Sequence, residues 1–315
     1  MGFSSLAETP NNSFGVALVG SGSATPCQRL TNDQIGMRVD TDNTWIQSRT
    51  GITARHVVGS DESLTGLAKS AAAEALKMAN WDAKSVDLIL LATSTPDDLF
   101  GSAPKVQAQL GASNAVAFDL TAACSGFLFA LVTASQFLRC GSMRRALVIG
   151  ADQLSSWVDW DDRRSCILFG DAAGAIALEA SSPQDDDLLG FQLRTDGSRG
   201  DCLNLNSLQN VQPLIEETTY KKGGFSPIKM NGQEVYKFAV REVPLILEEL
   251  LSQNKIIPDQ LDWLLLHQAN QRILDSVGER FAIPSHKVLS NLANYGNTSA
   301  ATIPLMLDEA VRTNR

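Results

Sequence analysis

The sequence predicts an α/β protein built from two similar halves, each with a mostly parallel sheet packed against helices. Short apolar segments typical of buried strands alternate along the chain with longer segments of helical periodicity. The same order of segments begins again after a polar, acidic stretch at 181–187. Segments 85–91 and 260–266 also match, since each has a polar residue, an apolar residue, an aspartate and then four apolar residues. We therefore expect duplicated halves that pack together.

The first half, expected at 14–180, contains the more regular pattern. A polar tail at 1–13 precedes it. An Ala-rich amphipathic helix is predicted at 64–79, and a second helix at 125–140. The apolar segments predicted as strands are 16–20, 86–92, 115–120, 146–150 and 175–179.

The second half, expected at 181–315, repeats this order. Strands are predicted at 189–193, 261–266 and 287–289, and helices at 235–253 and 303–311. A turn of small residues at 296–301 mirrors the turn around Cys124 in the first half. The first half continues after its Cys124 helix with two more strands, which have no counterpart after 303–311. The second half is either shorter than the first or lacks its C-terminal strands here, and we expect the latter.

Composition excludes several classes of function. The formal charge of −9 argues against a nucleic-acid binder, because contacts with phosphates need a basic surface. No apolar run approaches the roughly 20 residues that span a membrane. Five cysteines, odd in number and scattered, argue against a disulfide framework or a zinc site and are typical of a reducing cytoplasm.

Cys124 is the first candidate for chemistry. It lies where a predicted strand turns into a helix, among Ala, Ser and Gly residues that let a substrate approach. The free N–H groups of a helix start favour a thiolate, and we expect them to lower the pKa of this thiol. The alternative is a buried core cysteine, and the segment alone favours neither.

His267 and Asn297 are the other two candidates. His267 directly follows a predicted parallel strand, at the sheet edge where ligands bind in open α/β sheets. A structural histidine is the alternative. Asn297 lies at a turn before a helix, where it could equally be a capping residue. Because both positions and Cys124 follow strands in two related halves, one cleft can collect all three. The other histidines, His56 and His286, are expected at the solvated surface.

Three motifs in this order resemble the β-ketoacyl-acyl-carrier-protein synthase III family. They are Ala-Ala-Cys-Ser-Gly-Phe at 122–127, His-Gln-Ala-Asn at 267–270 and Gly-Asn-Thr-Ser-Ala-Ala at 296–301, and weaker matches occur at 45–52 and 169–171. The resemblance implies the thiolase fold, with duplicated halves in a five-layer α-β-α-β-α arrangement, and a homodimer. Asn297, in place of a second histidine, is typical of enzymes that start fatty-acid synthesis rather than elongate chains.

The resemblance also implies a mechanism. Cys124 would take the acetyl group from acetyl-CoA. His267 and Asn297 would stabilise the enolate formed when malonyl-acyl-carrier protein loses CO₂. Attack of this carbanion on the acetyl group would give acetoacetyl-acyl-carrier protein. The family needs no metal or redox cofactor.

Further site residues follow from the resemblance alone. Trp45 and Arg163 would hold the CoA adenine between them, with Arg164 as the competing arginine, and Arg49 would bind its phosphates. Phe100 would line the acyl pocket of the partner subunit. A basic docking surface for the acidic carrier protein would comprise Lys237, Arg272 and Arg280.

Other functions remain open on the sequence alone. A relative could join other acyl-CoA and malonyl units into a secondary metabolite. A Cys–His thioesterase or hydrolase would need the same residue types. If the C-terminal strands are missing from the molecule, a sheet edge and part of the oxyanion hole go with them, and the chain could be an inactive scaffold that dimerises or binds carrier protein.

Overall fold

A computed structural model describes residues 14–315. The expected polar tail at 1–13 lies outside the described residues. Within them, a five-stranded mixed sheet forms the centre of the first half, with strand order β1-β7-β6-β4-β5. Its strands are β1 (Gly15–Ala24), β4 (Leu88–Ala92), β5 (Val116–Leu120), β6 (Arg145–Asp152) and β7 (Ala172–Ser181). Strand β4 pairs in parallel with both β5 and β6, whereas β7 runs antiparallel to β6 and β1. Two of the four strand pairs are thus parallel and two antiparallel, so the sheet is mixed rather than mostly parallel, with the parallel pairing confined to β4, β5 and β6.

Helices cover both faces of this sheet. One face packs on α3 (Leu64–Ala79) and α4 (Ala103–Leu110), and the other on α5 (Gly126–Arg139) and α9 (Thr302–Arg312). Four of the six Ala side chains of α3, at 68, 71, 72 and 75, are fully buried, which lets the helix lie close to the sheet. Helix α9 belongs to the second half of the chain, so one helix layer joins the two halves.

Shorter elements complete the first half. They are β2 (Arg29–Thr31), α1 (Asn32–Gly36), α2 (Asn43–Thr50) and β3 (Ala54–His56), with β2 and β3 forming an antiparallel pair. Arg55 of β3 is fully buried and donates hydrogen bonds to the Asn32 side chain and the Ile167 carbonyl. His56, expected at the surface, is half-buried, with its Nδ1 2.6 Å from the Pro26 carbonyl oxygen. His286 is exposed.

The second half is mainly helical in the described residues. It contains α6 (Gly232–Gln253), α7 (Gln271–Arg280), α8 (Leu292–Tyr295) and α9. Short antiparallel pairs precede α6: β8 (Leu203–Asn204) with β11 (Lys229–Met230), and β9 (Asn210–Ile215) with β10 (Thr218–Lys222).

The prediction of three regular strands in the second half is wrong. Segment 189–193 is irregular, and 261–266 meets 287–289 at a single parallel bridge between Leu264 and Val288. A strand needs a ladder of such pairs along its length, and only two backbone hydrogen bonds, both at Leu264, join these two segments. Their apolar side chains still pack on α7, where Leu264 and Leu266 are buried beside Leu274. The prediction that the chain divides at residue 181 stays a prediction; β7 ends there.

Candidate active site

Cys124 lies on a tight turn between β5 and α5. Ala123, just before it, has a φ of +48°, a conformation that few L residues adopt. Residues Ala123–Ser125 form one turn of 3₁₀ helix, and α5 begins at Gly126. A Cβ added at Gly126 would lie 3.2 Å from the Cβ of Ala92, so this glycine lets the turn pack on the end of β4. The turn places Cys124 at the carboxyl edge of the parallel strands, where the residue as a whole is partly exposed.

A second turn of the same kind faces it. Ser299 has a φ of +50°, Ser299–Ala301 form a 3₁₀ turn, and α9 begins at Thr302. Gly150 of β6 permits this approach, because a Cβ there would lie 2.2 Å from the Ala300 carbonyl oxygen. Hydrogen bonds from Asn297 N to Leu168 O (2.8 Å) and from Gly170 N to Asn297 O (3.0 Å) fix the segment that leads into the turn.

Ser299 links the three predicted catalytic residues. Its hydroxyl donates to the Cys124 sulfur at 3.6 Å, and its backbone N–H donates to the Asn297 Oδ1 at 2.9 Å. The backbone of Ser299 also lies close enough to the His267 ring to raise the pKa of its imidazole. Residues from both halves of the sequence, 175 positions apart in the case of Cys124 and Ser299, therefore surround one serine.

Asp152 is a site residue that the sequence reasoning missed. It ends β6, is fully buried, and its Oδ1 accepts hydrogen bonds from Thr93 Oγ1 (3.2 Å), Ser94 N (2.8 Å) and Thr95 Oγ1 (3.1 Å). Its Oδ2 accepts from Ala300 N at 3.1 Å. The only sequence signal is an acidic residue at the end of an apolar strand, which belongs to no motif.

The pKa of the Cys124 thiol is raised, whereas the sequence predicted that it would be lowered. Burial raises the pKa of this thiol to about 11; the hydrogen bond from Ser299 lowers it, and the negative charge of Asp152 raises it further. The lowering expected from the helix start is therefore wrong for the resting protein. The sequence places Cys124 at a helix start but does not show the burial or the nearby carboxylate.

His267 is uncharged at neutral pH. Burial lowers the pKa of its imidazole to about 4, against the opposing influence of Asp152 and the Ser299 backbone. Its Nδ1 is buried, and no hydrogen-bond partner for it lies among residues 14–315. The neighbouring Gln268 is fully buried and accepts from Asn291 N (2.8 Å) and Leu292 N (2.9 Å), which anchors the backbone beside the histidine.

Trp45 contacts two arginines. The guanidinium of Arg49 is 4.6 Å from the centre of the indole ring, and that of Arg163 is 5.2 Å away. Arg163 also donates to the Asp40 carbonyl oxygen at 2.7 Å. Arg164 instead forms a two-pronged ion pair with Asp162. Of the two adjacent arginines, the one that contacts Trp45 is Arg163.

The remaining predicted residues lie on the surface. Phe100 is fully exposed in the loop between β4 and α4. Lys237 pairs with Glu234 at 2.8 Å and Arg280 with Glu248 at 2.9 Å. Arg272, at the start of α7, donates to the Ser48 carbonyl oxygen at 3.1 Å. Within residues 14–315, no His, Cys, Asp or Glu cluster could hold a metal ion, and no helix could cross a membrane.

Comparison with known proteins identifies the chain as a condensing enzyme with a thiolase-like fold. Family models described as 3-oxoacyl-[acyl-carrier-protein (ACP)] synthase III and its C-terminal region match residues 118–197 and 251–315. The chain is 72% identical to the β-ketoacyl-[acyl-carrier-protein] synthase III of Prochlorococcus marinus strain MIT 9313, over 98% of this chain and 91% of that protein.

Solved structures of 3-oxoacyl-acyl-carrier-protein synthase III enzymes match the fold of this chain. The 3-oxoacyl-(acyl carrier protein) synthase III of Pseudomonas aeruginosa PAO1 matches with a TM-score of 0.85 and 35% identity, over 95% of this chain and 90% of that one. The Aquifex aeolicus VF5 enzyme matches with a TM-score of 0.79 and 37% identity, over 95% and 92%. The chain belongs to the β-ketoacyl-acyl-carrier-protein synthase III family, and the predicted family, fold class and type of activity are confirmed.

Proposed function

We propose that this condensing enzyme joins acetyl-CoA to malonyl-acyl-carrier protein, giving acetoacetyl-acyl-carrier protein, CO₂ and CoA, and so starts fatty-acid biosynthesis. The observation that carries the proposal is the meeting of the Cys124 turn with the Ser299 turn, beside His267 and Asn297. Acetyl transfer to the Cys124 sulfur would form a thioester intermediate and release CoA. The malonyl group would then enter the same cleft on its carrier.

His267 and Asn297 are suited to the decarboxylation step. Loss of CO₂ leaves an enolate oxygen, which neutral N–H donors can stabilise. A pKa of about 4 keeps His267 neutral at physiological pH. The Oδ1 of Asn297 accepts from Ser299 N, so its NH₂ group turns the other way and can donate to the substrate. Both side chains are thus prepared as donors, and neither needs to change its charge.

The CoA site is proposed at Trp45, Arg49 and Arg163. An adenine ring would displace one guanidinium from the face of Trp45 and stack in its place, since a flat ring and an arginine both bind an indole face. Arg163 is placed for this role by its contact with Trp45, whereas Arg164 is engaged by Asp162. Arg49 would turn to the phosphates.

The carrier-protein surface is proposed at Lys237, Arg272 and Arg280. Arg272 lies next to the CoA site, because its guanidinium contacts Ser48 O and the Asn270 side chain contacts Arg49 O. The ion pairs of Lys237 and Arg280 are exposed and therefore weak, so an acidic partner can replace Glu234 and Glu248. Steering by these residues would fall as salt increases.

A homodimer is proposed through the β5 edge of the sheet. This edge strand presents Val116 (54% exposed) and Phe118 (37% exposed), and Leu99 and Phe100 are exposed on the preceding loop. Apolar edge strands attract another strand, and pairing with a second copy would cover all four side chains. Phe100 would then reach the acyl pocket of the partner. We also propose a cytoplasmic location without a metal or redox cofactor.

The test is a full turnover with radiolabelled acetyl-CoA and malonyl-acyl-carrier protein. The proposal predicts labelled acetoacetyl-acyl-carrier protein, one CO₂ per product. Labelled free acetate without carbon–carbon bond formation would show a hydrolase instead, and no labelled enzyme or product would show an inactive scaffold.

A further inference from the structure

A buried arginine has no role in the proposed reaction. Arg55 of β3 has no exposed surface. Its guanidinium donates to the carbonyl oxygens of Ile167 and Leu30 and to the Oδ1 of Asn32, which are all uncharged acceptors. Burying a charge without an opposite charge is costly, and packed apolar residues are often at least as stable in its place. Stability of the fold therefore does not explain why an arginine lies here.

The first set of contacts made by Arg55 leads to Asn297. The backbone of Asn297 is held on both sides, since its N–H donates to Leu168 O at 2.8 Å and its carbonyl accepts from Gly170 N at 3.0 Å. Arg55 donates to the carbonyl of Ile167, the residue directly before Leu168. The guanidinium thus fixes the start of the segment to which Asn297 is bonded.

Arg55 also packs directly against the two backbone segments that meet at Asn297. A Cβ added at Gly170 would lie 3.0 Å from the Cβ of Arg55, and one added at Gly296 would lie 3.4 Å from it. Gly296 precedes Asn297, and Gly170 is its hydrogen-bond partner. The stem of the arginine therefore supports the same backbone that its guanidinium holds.

The second set of contacts leads to the proposed CoA site. Arg55 Nη1 donates to Asn32 Oδ1 at 2.9 Å, and Asn32 Nδ2 donates to Ile52 O at 2.7 Å and to Asn43 Oδ1 at 3.0 Å. Asn43 begins α2, and Ile52 follows the glycine that caps its C-terminal end. Arg55 is thereby anchored to both ends of the helix that carries the proposed CoA residues.

We propose that Arg55 is a positioning residue for condensation, which fixes the backbone of Asn297 so that its amide meets the enolate oxygen. Arg55 acts through Asn297 and needs no contact with the substrate. This proposal rests on the proposed function, because it concerns a donor that the function assigns to the enolate. A donor stabilises an oxyanion only at a defined distance, and a misplacement of about 1 Å can cost about 10²-fold in rate.

The test measures two single-turnover rates by rapid quench. The first is acetylation of Cys124 by saturating labelled acetyl-CoA, and the second is consumption of the acetyl-enzyme after malonyl-acyl-carrier protein is added. Both rates are expressed per acetylated enzyme, so loss of folded protein does not alter them. Arg55→Lys keeps the charge but replaces the planar fork of donors with a single ammonium. Consumption should slow by about 10- to 10²-fold, and acetylation should change by less than about twofold.

The Asn297→Ala background supplies a second readout that a general structural role would not move. If Arg55 acts through Asn297, adding Arg55→Lys to Asn297→Ala should slow consumption no further, because the effects of residues that act as a unit are not additive. Arg55→Gln, which is neutral and keeps one amide donor group, should give the same pattern and decides the matter if Arg55→Lys does not fold.

Arg139→Lys is the matched control. Arg139 is also buried, donates to a backbone carbonyl, that of Leu188, and has an Nε without a partner among residues 14–315, as Arg55 has. It pairs with Asp186 and lies at the opposite end of α5 from Cys124. Arg139→Lys should leave both rates unchanged, whatever its effect on the midpoint of urea unfolding.

Three results would overturn the positioning role. They are an equal loss of rate in acetylation and in consumption, a further slowing when Arg55→Lys is added to Asn297→Ala, and the same slowing of consumption in Arg139→Lys. Failure of the wild type to form acetyl-Cys124, or normal consumption in Asn297→Ala alone, would instead refute the proposed function. The two kinds of failure are therefore distinguishable.

Discussion

The Cys124 turn and the Ser299 turn have similar backbone conformations but different surroundings. Each has a residue with φ near +50°, a 3₁₀ turn and then a helix. Ser299 corresponds to Ala123, and Ala300 corresponds to Cys124. Cys124 is partly exposed, whereas Ser299 and Ala300 are 4% and 1% exposed. The same turn thus carries the proposed nucleophile in one half and buried backbone hydrogen-bond donors in the other.

Removing the nucleophile tests the first turn and has the largest expected effect. Cys124→Ala should abolish acetyl-enzyme formation and reduce condensation by at least about 10⁴-fold, since covalent catalysis then has no acceptor. Cys140→Ala, at an exposed cysteine on the far end of α5, should leave both rates unchanged. Acetyl label remaining on the Cys124→Ala protein would contradict the assignment.

Removing a donor tests the second turn. Asn297→Ala should slow condensation by about 10²–10³-fold, the usual effect of losing one donor to a developing oxyanion. Acetylation of Cys124 should change little, because Asn297 contacts Ser299 N rather than the sulfur. The measurement is rapid quench of acetyl-enzyme together with CO₂ release. An equal loss of rate in acetylation and in condensation would show that Asn297 does not act in the condensation step alone.

These residues also show how far sequence reasoning extends. Cys124, His267 and Asn297 could be found because each follows an apolar segment and lies in a motif. Asp152 and Ser299 could not, because their place beside the site depends on contacts between residues 148 and 175 positions apart. The apolar patterns at 261–266 and 287–289 predicted the burial of Leu264, Leu266 and Leu289, but at 189–193 the apolar side chains are exposed. None of the three patterns predicted strand pairing, since periodicity carries no information about a neighbouring strand.

Crowding the contact between the Ser299 turn and β6 should lower the stability of the protein. Gly150→Ala places a Cβ against the Ala300 carbonyl oxygen, and overpacking of this kind typically costs about 1–3 kcal/mol. Gly197→Ala is the matched control, because no heavy atom lies within 4 Å of its added Cβ. Urea unfolding should separate the two variants; equal midpoints would mean that the second turn can move away from β6 freely.

Acidification should destabilise the protein through His267. Its pKa is about 4 when folded and about 6.5 when unfolded, so the unfolded chain binds a proton first as pH falls. Stability from this group is complete above pH 6.5 and is lost progressively down to pH 4. His267→Gln should therefore flatten the decline in Tm over this range. An unchanged pH dependence would contradict the burial of an uncharged imidazole.

The smallest expected effect concerns the CoA site. Arg163→Ala should raise the KM for acetyl-CoA about fivefold, the magnitude of one cation–π contact, with kcat nearly unchanged. Arg164→Ala should have no effect on KM, since this side chain is engaged by Asp162. The reverse pattern in steady-state kinetics would assign the adenine contact to Arg164.

The most direct test of whether Cys124 carries the acetyl group that condensation consumes is peptide mapping of the wild-type enzyme. The enzyme is exposed briefly to labelled acetyl-CoA and mapped before and after malonyl-acyl-carrier protein is added. We predict a stoichiometric acetyl group on the peptide that contains Cys124, which disappears into acetoacetyl product on the second addition. Label on any other peptide, or acetyl-Cys124 that malonyl-acyl-carrier protein does not consume, would contradict the account.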